Sequence, residues 1–138
     1  MVSIKDIKMV MEDKEVLLDK DTIIVSETDK RGIVTYANDD FCKICGYSKD
    51  ELIGKPHNIV RHPDMPKAAF RDLWETIENG DVWSGIVKNL TKDGSFYWVK
   101  ATVYSSNGQN NEPRYFSVRV KPTEDDIKEA ELLYETLS

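Results

Sequence analysis

Apolar and polar positions along the chain fall into two periodicities, one of strands and one of helices. Residues 3 to 18 carry Ile4, Ile7 and Met11 at helical spacing, with Val10 and Leu17 beside them among charged residues, which predicts a helix ended by Asp19 to Asp21. Thr22 to Thr28 is β-branched and reads as a strand; Asp29-Lys30-Arg31-Gly32 is a turn with its glycine late, and Ile33 to Ala37 is the returning strand of a hairpin. Asn38-Asp39-Asp40 can cap a short helix around Phe41 to Cys45 that Gly46 ends. Ser48 and Glu51 have the spacing of a capping box, opening another short helix that Gly54 ends. Residues 67 to 79 form the clearest helix: Ala68, Ala69, Leu73, Trp74 and Ile77 recur at three- and four-residue steps, Phe70 extends that face, and Asn79-Gly80 stop it.

Three more strands follow. Trp83 to Leu90 and Ser95 to Tyr104 are joined by Thr91-Lys92-Asp93-Gly94, a hairpin signal. Ser105 to Glu112 is a polar loop, and Pro113 to Lys121 alternates Tyr115, Ser117 and Arg119 with Phe116, Val118 and Val120. After Pro122, Thr123 to Asp126 cap a closing helix with the stripe Ile127, Ala130, Leu133, Tyr134 and Leu137, which can pack on its own sheet, dimerise or lead into another domain. Two strands before the helices and three after them most economically make one α+β domain. Its expected form is a five-stranded antiparallel sheet with short helices on one face, flanked by N- and C-terminal helices. The expected divisions are a cap helix over 1–21, the sheet domain over 22–122 and a helix or linker over 123–138. A small-molecule cavity between sheet and helices follows.

The stretch from His57 to Asp64 departs from both periodicities. Both histidines of the protein lie in it, with Arg61, Asp64 and Asn58, bracketed by Pro56 and by Met65-Pro66. Prolines fix φ and remove backbone donors, so a short turn is expected that presents several polar groups together. It is either a shelf for a charged or phosphorylated ligand or a solvated loop between helices.

Composition narrows the partners. A length of 138 residues suits one domain with its own core. A net charge of −6 with no basic face argues against nucleic acid. No apolar run approaches the length of a membrane span, and the N-terminus does not read as a signal peptide, so no direct membrane insertion of this chain and a cytoplasmic setting are expected. Cys42 and Cys45 form a CxxC without a second pair, which reads as packed thiols rather than a metal or redox site.

Over nearly its whole length the chain resembles a PAS sensory domain. The general signs are Thr28 to Asn38, Gly46 to Gly54 and Lys92 to Trp98; the longer runs Pro56 to Phe70 and Trp83 to Asn89 resemble the aerotaxis (energy-taxis) receptor branch. The resemblance implies a non-enzymatic redox sensor that holds FAD non-covalently and reports flavin redox state to chemotaxis signalling. Its partner would be a HAMP or methyl-accepting type of protein or domain, and a homodimer through the terminal helices is a further possibility. Receptors of this branch usually continue into a membrane segment and a signalling rod. Both a piece of a longer receptor and a stand-alone subunit of a two-protein receptor fit the sequence.

Motif match carries cofactor-binding importance onto His57, Arg61, His62, Asp64, Trp83 and Asn89, to which Asn38 and Trp74 are added as candidates. Arg61 offers a planar donor fork for a pyrophosphate. His57 and His62 either donate to phosphate or ribose or orient the turn. Asp64 caps the helix near Met65, holds Arg61 or meets a ribose. Asn89 has the donor and acceptor that suit a flavin pyrimidine edge, or else sits on the sheet surface. Asn38 is a helix cap or a second polar contact, and Trp74 and Trp83 supply walls for a ring. The rival readings are a flavin enzyme with a histidine base, a blue-light sensor with a reactive cysteine, a haem- or other ligand-binding PAS sensor with an axial histidine, and a ligand-free dimerisation module.

Overall fold

The computed structural model describes residues 14–107 and 111–137. The elements run β1 (Ile24–Asp29), β2 (Val34–Ala37), α1 (Asp39–Cys45), α2 (Lys49–Leu52), a 3-10 turn (His57–Val60), α3 (Lys67–Glu78), β3 (Trp83–Leu90), β4 (Phe96–Asn107), β5 (Pro113–Val120) and α4 (Glu124–Glu135). All pairs are antiparallel, and the five strands lie in the order β2-β1-β5-β4-β3. The last strand is thus central, between the front hairpin and the back one, and the five strands form the single antiparallel sheet expected of an α+β domain.

Local chemistry sets the boundaries. Asp29 Oδ1 accepts from the backbone N–H of Arg31 at 2.8 Å and of Ile33 at 3.1 Å, which shapes the β1–β2 turn. The Ser48–Glu51 capping box is formed in both directions, and Thr123 and Asp126 form a second one at the start of α4. Gly46 closes α1 in the left-handed region, φ 82°, with its N–H on Cys42 O. The core lies between the inner sheet face and the helices, around Ile24, Phe41, Leu52, Val60, Ile77 and Tyr97.

The helical layer is also hydrogen-bonded to both sheet edges. At β2, Val34 N–H donates to Lys55 O and Gly54 N–H to Val34 O, each at 2.9 Å. At β3, Arg61 forms an isolated antiparallel bridge with Asn89, and the Tyr134 hydroxyl of α4 donates to Ile86 O. Edge groups that would otherwise await another strand are thereby occupied.

One expectation about the ends changes. Residues 14–18 are not the end of a helix: Val16 N–H donates to Phe96 O at 2.7 Å and Phe96 N–H to Lys14 O at 2.9 Å, so the backbone runs extended beside the start of β4. The rest of the expected cap helix, 1–13, lies outside the described residues. The closing helix packs on its own sheet through Ala130 and Tyr134, while Leu132 and Leu133 remain exposed. Among the described residues no helix is long and apolar enough to cross a membrane.

Candidate functional site

Between sheet and helices lies a cavity of about 370 Å³. That volume falls within the range of small-molecule sites. The sheet contributes Ser26, Thr28, Asn89, Ser117 and Arg119; α3 contributes Phe70, Leu73, Trp74 and Ile77; the proline-bracketed elbow contributes His57, Asn58 and Arg61; the β1–β2 turn contributes Lys30, Arg31 and Gly32. Four Lys or Arg side chains face one carboxylate, Glu78, in a protein whose net charge is −6. The cavity is therefore a cationic feature of an acidic molecule.

Its inner end is built on Arg119. The side chain is 3% exposed, and among the described residues it has no salt-bridge partner. One guanidinium nitrogen donates to Ser26 Oγ at 2.7 Å, another lies 3.3 Å from His57 Nε2, and Cζ sits 4.4 Å from the Phe41 ring centroid. Its Nε–H is buried without a partner. Burial lowers its pKa to about 10, so it remains charged at neutral pH. A buried cation with one orphaned donor and no counterion leaves a desolvation cost unanswered within the protein.

The same contacts assign the state of His57. Ser26 Oγ accepts from Arg119, leaving its own hydrogen to donate to His57 Nε2 at 2.9 Å. Nε2 is thus an acceptor and the ring proton belongs on Nδ1. Burial first, and the Arg119 charge second, push the His57 pKa down to about 3, so the ring is neutral at pH 7. Phe41 stacks on it at 5.8 Å.

The elbow places Arg61. Pro56 enters it at φ −59°, the turn His57–Val60 closes it, and Arg61 leaves it extended with its N–H on Asn58 O. The bridge to Asn89 holds that backbone against β3. The Arg61 guanidinium sits over Phe70, its Cζ 3.7 Å from the ring centroid, and its Nε is buried without a partner. Asn89, 4% exposed and next to last in β3, lines the cavity wall rather than the outer surface.

Of the eight sequence candidates the structure brings His57, Arg61, Trp74 and Asn89 to the cavity and leaves four outside its lining. Asn38 caps α1: its Oδ1 accepts from Phe41 N–H and Val25 N–H, and its Nδ2 donates to Ile23 O, which occupies the amide. His62 is buried and orients the elbow, with Nδ1 accepting from Asp64 N–H at 3.0 Å; burial and then Lys88 lower its pKa. Asp64 neither caps α3, whose N-cap is Pro66, nor holds Arg61; it is exposed and paired with Lys88 at 3.1 Å. Trp83 is a clamp between β3 and α3, donating from Nε1 to Asp72 at 2.9 Å with its ring across Gly85. Arg119 and Ser26 are the residues that sequence reading missed. The alternation of Tyr115, Ser117 and Arg119 put all three on one face, and that face is the inner one.

Residues 34–119 match the family model described as PAS fold. The chain is 47% identical over 118 residues to the aerotaxis receptor of Escherichia coli K12, covering 86% of this chain and 23% of that protein. It is 35% identical over 77 residues to the biofilm dispersion protein BdlA of Pseudomonas aeruginosa PAO1, covering 55% of this chain and 18% of that one. The crystal structure of a PAS domain from Colwellia psychrerythraea superposes with a TM-score of 0.66 at 24% identity, over 78% of this chain and 92% of that one. The chain spans less than a quarter of the two curated relatives. With the sheet order, the helical layer and the family match in agreement, the chain belongs to the PAS fold family, as a PAS domain of the aerotaxis receptor type.

Proposed function

We propose that this domain binds FAD in the cavity and reports the redox state of the flavin to a taxis signalling partner. The observation that carries the reading is Arg119: a charged, buried guanidinium with no counterion among the described residues, at the end of a ligand-sized cavity. Such a group is stabilised by an electron-rich ligand and more so by one that gains negative charge. FAD, when bound, supplies a ring whose charge and protonation change as electrons enter it. Asn89 offers a donor and an acceptor to the ring edge, and neutral His57 with Ser26 keeps the Arg119 fork in place. Arg61 has a free donor suited to a phosphate. The 47% identity to a protein named aerotaxis receptor supports a taxis-type signalling partner, while FAD and a cytoplasmic setting are what the motif resemblance implies.

The rival chemistries are less well served. His57 Nε2 is engaged by Ser26 and Arg119, which disfavours an axial haem bond and, with its pKa near 3, a general base. Cys42 and Cys45 do not line the cavity, so neither thiol is presented to a flavin there. The sensing reading therefore has no enzymatic step. The test is to purify the protein, release the chromophore by heat and identify it by mass. FAD is the expected product; haem, FMN, or no chromophore after reconstitution with FAD overturns the reading.

A further inference from the structure

The β1–β2 turn belongs to the same cavity and lies apart from the proposed flavin-ring contacts. Lys30, Arg31 and Gly32 all line it. The turn is fixed to the elbow: His57 N–H donates to Gly32 O at 2.9 Å, and Ile33 bridges Pro56. Gly32 adopts φ +80°, and a Cβ there would lie 3.2 Å from the Trp74 ring, so the turn is also seated on α3. Asp29 engages Arg31 at 3.2 Å, whereas Lys30 has no ion pair among the described residues. Two adjacent cations on a pinned turn thus share a cavity with Arg61, whose Nε is orphaned.

We propose that the Lys30-Arg31 turn is the outer jaw of a diphosphate subsite, with Arg61 as the inner one, and that this jaw selects a dinucleotide over an unphosphorylated flavin. The flavin reading is presumed only for what lies deeper in the cavity. The chemistry recognised is that of two adjoining phosphates: Arg61 supplies a planar fork, Lys30 a mobile point charge, and Arg31 a charge half answered by Asp29. A jaw of exposed charges acts through space, so its contribution falls with salt, while the contacts of the ring do not.

FAD, riboflavin and ADP are titrated separately into the cofactor-free protein and into its K30A/R31A variant, at low and high salt, with circular dichroism and melting of each as the folding control. In the variant, FAD affinity falls about tenfold, the salt dependence of FAD binding shrinks, riboflavin affinity is unchanged and ADP binding is lost. Lys30→Glu weakens FAD further than Lys30→Ala. The proposal is overturned if riboflavin weakens as much as FAD, or if FAD is indifferent to both substitutions. Riboflavin binding without ADP binding leaves the flavin reading standing and removes the jaw. ADP binding without riboflavin binding leaves the jaw and removes the flavin. Binding of neither removes both.

Discussion

Arg119 and His57 meet at 3.3 Å through guanidinium and Nε2, and the Ser26 hydroxyl joins them by accepting from one and donating to the other. In the assigned tautomer each of the three bonds has a donor and an acceptor, yet the group as a whole carries an unbalanced positive charge at the cavity wall. Fold stability and ligand binding therefore make opposite demands on Arg119.

Replacing Arg119 with leucine separates those demands. The variant removes a buried, unpaired charge and leaves the Ser26–His57 bond intact, so the cofactor-free protein is expected to melt no lower than wild type. FAD affinity is expected to fall at least about tenfold, the loss of one charge-assisted contact. Paired melts and fluorescence titrations check both. A variant that melts far lower and binds FAD normally contradicts the assignment.

The depressed pKa of His57 has a signed consequence. The ring is neutral in the fold and titrates near its ordinary value when unfolded, so the unfolded chain binds more protons at acid pH. Its contribution is fully present above about pH 6.5 and is lost as pH falls toward about 3, at up to about 1.4 kcal/mol per pH unit. His62 is shifted in the same direction, so the two add. Urea unfolding from pH 7 to 4 is expected to show a shallower acid decline in His57→Asn than in wild type.

Gly85 is required by Trp83. A Cβ at Gly85 would lie 2.3 Å from the indole Cη2, and the indole is held by its bond to Asp72. Gly85→Ala is expected to cost about 2 kcal/mol in urea unfolding, with altered tryptophan emission, because a rigid ring must shift. An unchanged midpoint contradicts the packing described.

Tyr134 fastens α4 to the edge strand that carries Val87 and Asn89. Tyr134→Phe removes that hydrogen bond and is expected to destabilise the docked helix by about 1 kcal/mol. Hydrogen exchange over α4 then rises several-fold while the core strands are unchanged. If flavin state reaches α4 through β3, bound FAD in turn slows exchange over α4, as linkage requires.

Much of this architecture was legible in the chain because local and global preferences agree. Period-two alternation marked β5 from Pro113 onward, and the Thr91 to Gly94 turn that joins β3 to β4 closes with Gly94 at φ +93°. The Ser48 box, the Gly46 stop and the α3 stripe all formed. What remained illegible depended on contacts between distant segments. An arginine near a strand end ordinarily reads as solvent-facing, and only the pairing of Arg119 with Ile24 on β1 and Ala101 on β4 makes β5 central and buries it. The motif holding His57 and His62 gave no means to say which ring faces the cavity; that follows from the turn ending at Val60 and the bridge at Arg61. Val16 pairs with Phe96 instead of continuing a helical stripe, a choice made by an available strand end eighty residues away.

The central claim is that the space between sheet and elbow is the FAD site. It is tested most directly by titrating FAD into cofactor-free wild type and into Ser117→Trp, which fills that space from β5. Wild type should bind one FAD per chain saturably with flavin fluorescence quenched, and the Trp variant, still folded by circular dichroism, should lose binding. Equal binding by the two proteins, or none by wild type, contradicts the account.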